Sequence, residues 1–205
     1  MPTATVPRMS KSERTREAIL AAAEDLFSER GFDATPLSAI GERVGIQGSA
    51  ILYHYPSKRE LYQAVLERMF RPMLEDVHHE LAADGDLSDR LAAMTVAAVR
   101  FAAARPAAAR LVLREAFATA EAGDIVGSAS RHEWDRFARA LAREGKVDFD
   151  PLVVWNIVIG AICFHFGAGP TVGGLSYDPT DPARVTEFEA RMVAVTKTLC
   201  AQARP

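Results

Sequence analysis

The segment Ala34–Leu61 constrains the fold most, because it predicts two short helices joined at a glycine and followed by a third helix. Thr35 can cap the first of these helices, with Pro36 at its first position. Gly45 ends that helix, since glycine tolerates the left-handed backbone of many helix C-termini, and Gly41 is small enough for a second helix to cross closely. Two short helices around such a turn are typical of a unit that presents one helix to DNA.

The second short helix has two distinct faces. At about 100° per residue, Ile51 and Tyr55 point the same way, whereas Ser49, Ala50 and Tyr53 point away from them. The inner pair can pack on a neighbouring helix. The outer face is short-chained and hydroxylated, so it can enter a major groove and meet base edges or phosphates.

Capping boxes mark the starts of two longer helices. The box Ser57–Glu60 places Lys58 at a helix N-terminus, where backbone N–H groups and an ammonium can together hold a phosphate. The box Ser10–Glu13 predicts that the first helix begins near Lys11. The basic, Pro- and Ser-containing segment before it is either an arm that contacts DNA or a solvated tail.

The same region carries residues found together in a known family. An apolar stripe on the first helix offers a surface for the two short helices. From Arg14 to Leu66 the matching positions are Phe27, Gly31, Phe32, Thr35, Ile40, Gly45, Ile46, the run Tyr53–Lys58, and Leu61. On these positions the chain resembles the tetracycline-repressor (TetR) family of transcription regulators. An ordinary helical hairpin contains such signals singly, whereas the family contains them in combination.

The resemblance implies roles for individual side chains. The second short helix becomes the recognition helix in the major groove, and Arg14 and Arg16 lie near the DNA backbone. The implied contacts with DNA come from Arg14, Gln47, Gly48, Ser49, Ala50, Tyr53 and His54, with Lys58 on a phosphate.

Several positions depart from the family's usual residues. The family often has Tyr, Thr and Phe where this chain has Leu52, Ala50 and Tyr55. A phosphate-binding hydroxyl is therefore absent at Leu52, and Ala50 offers only a methyl contact, for example to thymine. Tyr55 shares a register with Ile51, which predicts a core residue. For His54 two interpretations stay open, namely a DNA contact and a half-buried packing position at the helix edge.

The chain divides into two parts. We expect residues 1–62 to form the helix-turn-helix DNA-binding domain with its basic arm, and residues 63–205 to form a helical domain for effector binding and dimerisation. Residues 1–62 hold eight Lys or Arg and eight Asp or Glu, so the acidic excess behind the net charge of −3 lies in the remainder. Helical periodicity throughout predicts an all-α fold. Beyond the first three helices we expect Ser57–Ala82 with a kink or a break at Pro72, then Ser88–Ala104, Pro106–Ala118, Ser128–Glu144, Pro151–Gly167 and a last helix from Pro182.

The last two helices predict a homodimer. The final helix repeats apolar residues every three or four positions, and the helix before it is apolar nearly all round, so both need covering. The TetR resemblance implies a four-helix bundle formed by these helices of two subunits. The expected interface residues are Trp155, Ile159, Ile162, Val185, Phe188, Met192, Val195 and Leu199. The alternative is that the seam packs only within its own chain.

The resemblance also implies an apolar effector pocket among the middle helices. Methionine and aromatic side chains suit an adaptable apolar ligand, with Asn156 or His165 as a polar anchor. The candidate lining residues are Met69, Met73, Phe101, Phe117, Trp134, Phe137, Trp155, Asn156 and His165. Each of them, taken singly, suits the core better than a ligand contact, and no motif names the ligand, which we expect to be small and apolar or amphipathic.

Other classes of protein leave no trace in the sequence. The chain contains no GxGxxG after a strand, P-loop, HExxH or CxxC motif, so we expect no catalytic residues, no cofactor and no metal. Cys163 and Cys200 lack metal spacing, which favours buried thiols in a reducing cytoplasm, with a redox switch as the alternative. The most apolar run is short for a bilayer span. The prediction is a ligand-released repressor that binds a near-palindromic double-stranded operator as a homodimer; a DNA binder without a small-molecule effector and an all-α enzyme are the alternatives.

Overall fold

The computed structural model describes residues 10–116, 136, 137, 139, 149–171, 174 and 176–202. These residues contain α-helices, turns and loops but no strand, which confirms the predicted all-α fold. The helices of the described ranges are α1 (Lys11–Arg30), α2 (Leu37–Val44), α3 (Gly48–His54), α4 (Lys58–Ala82), α5 (Leu87–Ala104), α6 (Pro106–Ala116), α7 (Pro151–Gly167) and α8 (Pro182–Gln202). The predicted helix Ser128–Glu144 lies largely outside these ranges.

The chain forms two compact units, Met1–Leu66 and Glu67–Pro205, called here the N-terminal and C-terminal units. The boundary lies within α4, after Leu66, whereas the sequence suggested a boundary after residue 62. Helix α4 continues through Pro72, so of the two expected outcomes at this proline, a kink or a break, the structure excludes the break. A proline lacks the N–H that would bond the preceding turn, so the helix is without one of its hydrogen bonds at this position.

The N-terminal unit is built around one face of α1. The predicted stripe is buried, with Ile19, Ala23 and Phe27 fully inaccessible to solvent. Phe27 meets the Tyr62 ring edge-on, with 4.8 Å between ring centroids. The Phe32 ring lies 5.1 Å from the same tyrosine ring. Such edge-to-face and tilted pairs stabilise an aromatic core, and this one joins α1 to the first turns of α4.

Capping residues set the helix ends in this unit. The Ser10 hydroxyl accepts from the Glu13 N–H and the Glu13 carboxylate accepts from the Ser10 N–H, so the predicted box is confirmed and α1 begins at Lys11. The prediction that Thr35 caps α2 is wrong. Thr35 is fully buried, and its hydroxyl donates to the Gly31 carbonyl at 2.8 Å. The side chain satisfies a carbonyl at the end of α1 instead, and α2 begins at Leu37 with Pro36 before it.

The C-terminal unit has its core between α5, α7 and α8. Helix α6 and the second half of α4 pack around this core. Its buried members include Leu91, Met94, Val158, Ile162 and Phe166. Helix α6 runs against α7. A Cβ on Gly167 would lie 3.0 Å from the Ala109 backbone, so glycine permits this close approach.

Polar pairs fix the register of α8 against α5. Arg100 pairs with Glu189 at 2.8 Å, and Lys197 pairs with Asp89 at 2.8 Å. Both pairs are exposed at the surface, where an ion pair contributes little on its own. They nevertheless mark which face of α8 turns towards α5.

Candidate nucleic-acid interface and effector pocket

The turn between α2 and α3 brings two helix backbones into direct contact. Gly45 has φ 75° and ψ 31°, the left-handed conformation expected from the sequence. A Cβ on Gly41 would lie 2.6 Å from the Ile46 carbonyl oxygen, and one on Gly48 would lie 2.9 Å from the Ser38 nitrogen. Any larger residue at Gly41 or Gly48 would force backbone atoms apart. The sequence interpretation missed this packing role of Gly48, for which it gave only a DNA contact.

Helix α3 presents the expected outer face to solvent. Gln47, Ser49 and Ala50 are exposed, and Tyr53 is 86% exposed, the largest exposed fraction among the large apolar residues described. A tyrosine this accessible contributes nothing to the core, so its aromatic ring is available to a partner. The face therefore combines an amide, a hydroxyl, a methyl and a phenol on one short helix.

The inner face of α3 holds the helix in place. Ile51 is fully buried and Tyr55 is 3% exposed, as their shared register predicted. Leu52 is 44% exposed and lies beside the outer face. Leu52 therefore adds an apolar side chain to the accessible surface of α3.

His54 ends α3 beside Tyr53. The two rings meet edge-on at 5.3 Å, and His54 is half-buried. Its backbone carbonyl accepts a hydrogen bond from Arg16 Nη1 at 3.3 Å. His54 thus has features of both interpretations, because its ring packs on a neighbour while remaining partly open to solvent.

Lys58 stands at the first residue of α4, as the capping box predicted. The Ser57 hydroxyl accepts from the Glu60 N–H at 3.1 Å. The Lys58 ammonium lies 4.4 Å above the Phe32 ring and 3.4 Å from the Asp33 carbonyl oxygen. These contacts hold the positive charge at the helix N-terminus, where the macrodipole also favours an anion.

Two arginines of α1 complete this surface. Arg14 and Arg16 are both exposed, on the first turns of the helix. The Arg16 guanidinium also lies 4.5 Å from the centroid of the Tyr55 ring. The sequence placed Arg16 near DNA but gave no signal of its contact with α3, because that contact joins residues distant in the chain.

An open apolar pocket with a cavity volume of about 70 Å³ lies in the C-terminal unit. Two of the candidate residues, Met73 and Phe101, line it. Its described lining is Phe70, Met73, Ala98, Phe101, Ala102, Ala109, Val112, Ile159, Ile162 and Cys163. All of these side chains are apolar apart from one thiol. Burial raises the pKa of Cys163 to about 11, so the thiol stays neutral and the lining carries no charge.

The other candidate lining residues lie elsewhere. Met69, Phe137 and Trp155 are buried side chains of the core, and Asn156 is exposed to solvent. Phe117 and Trp134 lie outside the described residues. A helical wheel identifies apolar positions but does not say which of them border a cavity. For this reason the predicted lining residues agree only in part with the observed lining.

His165 is part of an aromatic cluster rather than the lining of that pocket. Its ring stacks on Phe188 with 3.8 Å between centroids and 9° between planes, and it meets Phe166 edge-on at 4.9 Å. The Nε2 atom is buried and has no hydrogen-bond partner among the described residues. Burial lowers the pKa of His165, because the charged imidazolium is poorly solvated there.

Several residues expected between subunits lie instead in the core of their own chain. Ile162 is 1% exposed, and Met192 and Trp155 are nearly as inaccessible. Ile159, Val185, Phe188 and Leu199 are half-buried against the same core, and only Val195 of the predicted set is exposed. The burial of these residues within one chain agrees with the alternative that the seam packs within its own chain.

A different apolar face remains open on α7. Val153, Ile157 and Phe164 are each about half exposed, and their spacing places them on one side of the helix. Gly160 lies on the same side, and a Cβ there would meet no atom within 4 Å. Large apolar side chains in a row on a helix are typical of an interaction surface.

Other kinds of site are not found in the described part of the chain. No group of three His, Cys, Asp or Glu side chains suited to a metal ion occurs among the described residues. None of the helices in those ranges combines the length and apolar character needed to cross a membrane.

The geometry of α2, α3 and the start of α4 defines a helix-turn-helix protein with an exposed recognition helix. Residues 19–65 match the family model described as bacterial regulatory proteins of the tetR family. This N-terminal segment is therefore similar to the DNA-binding part of tetR-family regulators, in agreement with the resemblance found in the sequence.

Individual relatives support the same assignment. The chain is 35% identical over 86 residues to the transcriptional activator FasR of Mycolicibacterium smegmatis, a match that covers 42% of this chain and 39% of FasR. The curated relative is thus matched over well under half of its length. A TetR-family regulator from Streptomyces coelicolor is 25% identical, with 96% of this chain and 99% of that one covered and a TM-score of 0.54.

A third likeness concerns the fold alone. The regulator FadR from Bacillus subtilis, solved in complex with stearoyl-CoA, is 13% identical to this chain. The match covers 89% of this chain and 97% of FadR, with a TM-score of 0.68. The helical C-terminal unit therefore has the architecture of solved regulators.

Proposed function

We propose that this protein is a sequence-specific transcription regulator that binds a near-palindromic DNA operator as a homodimer and is released by a small effector. The observation that carries the proposal is the accessible face of α3, where Gln47, Ser49 and Tyr53 stand free of the core. The matched family and the names of the relatives support a regulator rather than an enzyme. We place its action in the cytoplasm, where a bacterial operator lies.

The proposed division of labour separates base contacts from phosphate contacts. Gln47 and Ser49 can hydrogen-bond to base edges in the major groove, and Ala50 can meet a thymine methyl group. Tyr53 extends furthest and can reach either a base or the backbone. Lys58 donates to a phosphate, because its ammonium and the N-terminus of α4 attract the same anion.

Arg14, Gly48 and His54 have supporting roles in this proposal. Arg14 meets the backbone of the DNA from the first turn of α1. Gly48 allows the helix backbone to approach α2, and its own N–H lies at the N-terminal end of α3. His54 contacts the backbone through the part of its ring that is open to solvent.

The proposed dimer uses the open face of α7 together with α8. Val153, Ile157 and Phe164 would pack on the same residues of a second copy, with Val195 of α8 at the edge. An isologous interface of this kind is the commonest arrangement in soluble homodimers. It also gives two recognition helices, which read half-sites about 34 to 36 Å apart or at a related spacing.

The proposed effector enters the pocket lined by Met73, Phe101 and Cys163. An uncharged lining favours an apolar chain or ring system, since a buried charge would lack a partner. The stearoyl-CoA bound by FadR supports an acyl-type ligand for this fold. Release from DNA requires that the effector bind one state of the dimer more tightly than the other.

Selection of bound sequences from random DNA duplexes tests the proposed function directly. We expect an inverted repeat to be enriched, with protein that elutes as a dimer. The absence of any enrichment at low salt would overturn the proposal. Enrichment that no apolar compound reverses would favour the alternative of a DNA binder without a small-molecule effector.

A further inference from the structure

Arg16 joins α1 to the end of the recognition helix. Its Nη1 donates a hydrogen bond to the backbone carbonyl of His54 at 3.3 Å, and its Cζ lies 4.5 Å from the centre of the Tyr55 ring. His54 is the last residue of α3 and Tyr55 is its C-cap. One guanidinium thus holds both a terminal carbonyl and the aromatic ring that anchors the helix.

Helix α3 has little stability of its own. It is 7 residues long, and no side chain caps its N-terminus. A helix this short does not persist in water without tertiary contacts. Its N-terminal end is fixed by the close backbone approach at Gly41 and Gly48. Its C-terminal end depends on the buried Tyr55 ring and on the arginine above it.

The C-terminal end is also where a cation is most favourable. The last carbonyls of a helix lack partners within the helix and carry the negative end of its dipole. A guanidinium offers several donors in a plane and can stack on an aromatic ring while donating to an oxygen. Arg16 meets both requirements in one position.

We infer that Arg16 is a positioning residue, which holds the recognition helix in its DNA-binding orientation instead of contacting DNA itself. This inference rests on the proposed DNA-binding function. The competing role is a phosphate contact, since Arg16 is exposed and basic. The two roles predict different salt dependences of DNA affinity, because only a phosphate contact releases a counterion from DNA.

The first experiment compares Arg16→Ala with the unchanged protein on the operator recovered by selection. A positioning role lowers affinity by about tenfold or more, the worth of one hydrogen bond to a charged group, and leaves the dependence of log K on log salt unchanged. A phosphate contact lowers that slope by about 0.9 and would overturn the inference. Arg30→Ala, on an exposed site at the other end of α1, removes the same charge and should change neither quantity.

The second experiment needs no DNA. Amide hydrogen exchange of the free protein should become faster in α3 for Arg16→Ala, at the Tyr55 N–H above all, which bonds to the Ile51 carbonyl at 2.9 Å. Unchanged exchange in α3 would overturn the inference. Amide exchange tests the positioning role of Arg16 even if the random-duplex selection recovers no operator. A selection without an operator would reject the proposed function alone.

A third variant covers the case in which Arg16→Ala unfolds the N-terminal unit. Arg16→Lys retains the charge but loses the planar group that stacks on Tyr55. Positioning predicts weaker operator binding with the salt slope of the unchanged protein. Affinity equal to that of the unchanged protein would instead point to a simple phosphate contact.

Discussion

The hydroxyl groups of Thr95 on α5 and Thr196 on α8 lie 2.9 Å apart and hydrogen-bond to each other inside the core. Thr95 is fully buried and Thr196 is 1% exposed. Each oxygen also lies within hydrogen-bond distance of the carbonyl one turn earlier, that of Leu91 or Met192. This polar pair in an apolar core specifies which face of α8 meets α5.

The two buried hydroxyls should be energetically coupled, because removal of either one leaves the other without its cross-helix partner. We expect Thr196→Val to lower the free energy of unfolding by about 1 to 2 kcal/mol, since it removes the cross-helix partner of a buried hydroxyl. The double change with Thr95→Val should cost less than the sum of the two single changes. Urea unfolding of the four proteins measures the coupling, and strict additivity would contradict it.

Lys58→Ala should weaken DNA binding without changing sequence preference. The lost ammonium is one phosphate contact, so the slope of log K against log salt should fall by about 0.9. Fluorescence anisotropy on the selected operator and on an unrelated duplex gives both affinities. Lys197→Ala, which removes an exposed lysine in the C-terminal unit, is the control. Substitution of Gln47 or Ser49 should instead alter which bases are selected.

Ile157→Glu should convert the proposed dimer to a monomer. Ile157 is 47% exposed on the open face of α7, and two buried glutamates would meet across a symmetric interface. Sedimentation velocity measures the mass of the particle. Leu52→Glu is a matched control, because Leu52 is 44% exposed but lies in the N-terminal unit, and this variant should remain dimeric. A dimeric Ile157→Glu protein would reject the α7 interface.

Acid should destabilise the C-terminal unit through His165. Burial lowers the pKa of His165 in the folded chain, so its stabilising contribution is complete above the unfolded pKa of about 6.5 and is lost as the pH falls through the folded value. His165→Phe keeps a ring on Phe188 but cannot titrate. Its loss of stability between about pH 7.5 and pH 5.5 should be smaller than that of the unchanged protein.

The control for this titration is His79→Phe, a change on an exposed position of α4. Chemical unfolding at the two pH values should give this variant the same acid-induced loss as the unchanged protein. An equal loss in His165→Phe would show that acid acts through other groups.

Filling the pocket should block an uncharged ligand. Ala98 lines the pocket, so Ala98→Leu should abolish the fluorescence enhancement of phenylnaphthylamine, an uncharged apolar dye. Ala92→Leu adds the same volume at a buried residue of α5 outside that lining, and should retain dye binding. Both changes should lower the free energy of unfolding by about 1 to 3 kcal/mol through overpacking. A loss of dye binding in Ala98→Leu alone is therefore not an effect of lower stability. Equal dye binding by both variants would place the ligand elsewhere.

Local rules predicted the N-terminal unit well. Gly45, the Ser10–Glu13 box and the shared register of Ile51 with Tyr55 are determined by neighbours within a turn or two, so the sequence contains their whole explanation. Thr35 was misread because its hydroxyl bonds back to Gly31 at the end of α1. The same residue type caps helices and satisfies carbonyls, and only the tertiary fold selects between these roles.

Tertiary packing limited the prediction in the C-terminal unit. The repeat of α8 correctly identified an apolar seam, but periodicity does not say whether the seam meets its own chain or a partner. Met192 and Ile162 are buried within the chain, and the exposed side of the nearly uniform α7 cannot be distinguished by composition. The contact of Arg16 with His54 spans 38 residues and has no local signature.

The contact between α2 and α3 through Gly41 and Gly48 involves backbone atoms, whose chemistry is the same whatever side chains surround them. The support of the recognition helix is therefore independent of the residues that would read DNA. Positions 47, 49, 50 and 53 can be exchanged with those of another regulator without repacking the turn beneath them. On the proposed function, a few surface substitutions in α3 would change the preferred operator while the turn beneath it stays intact.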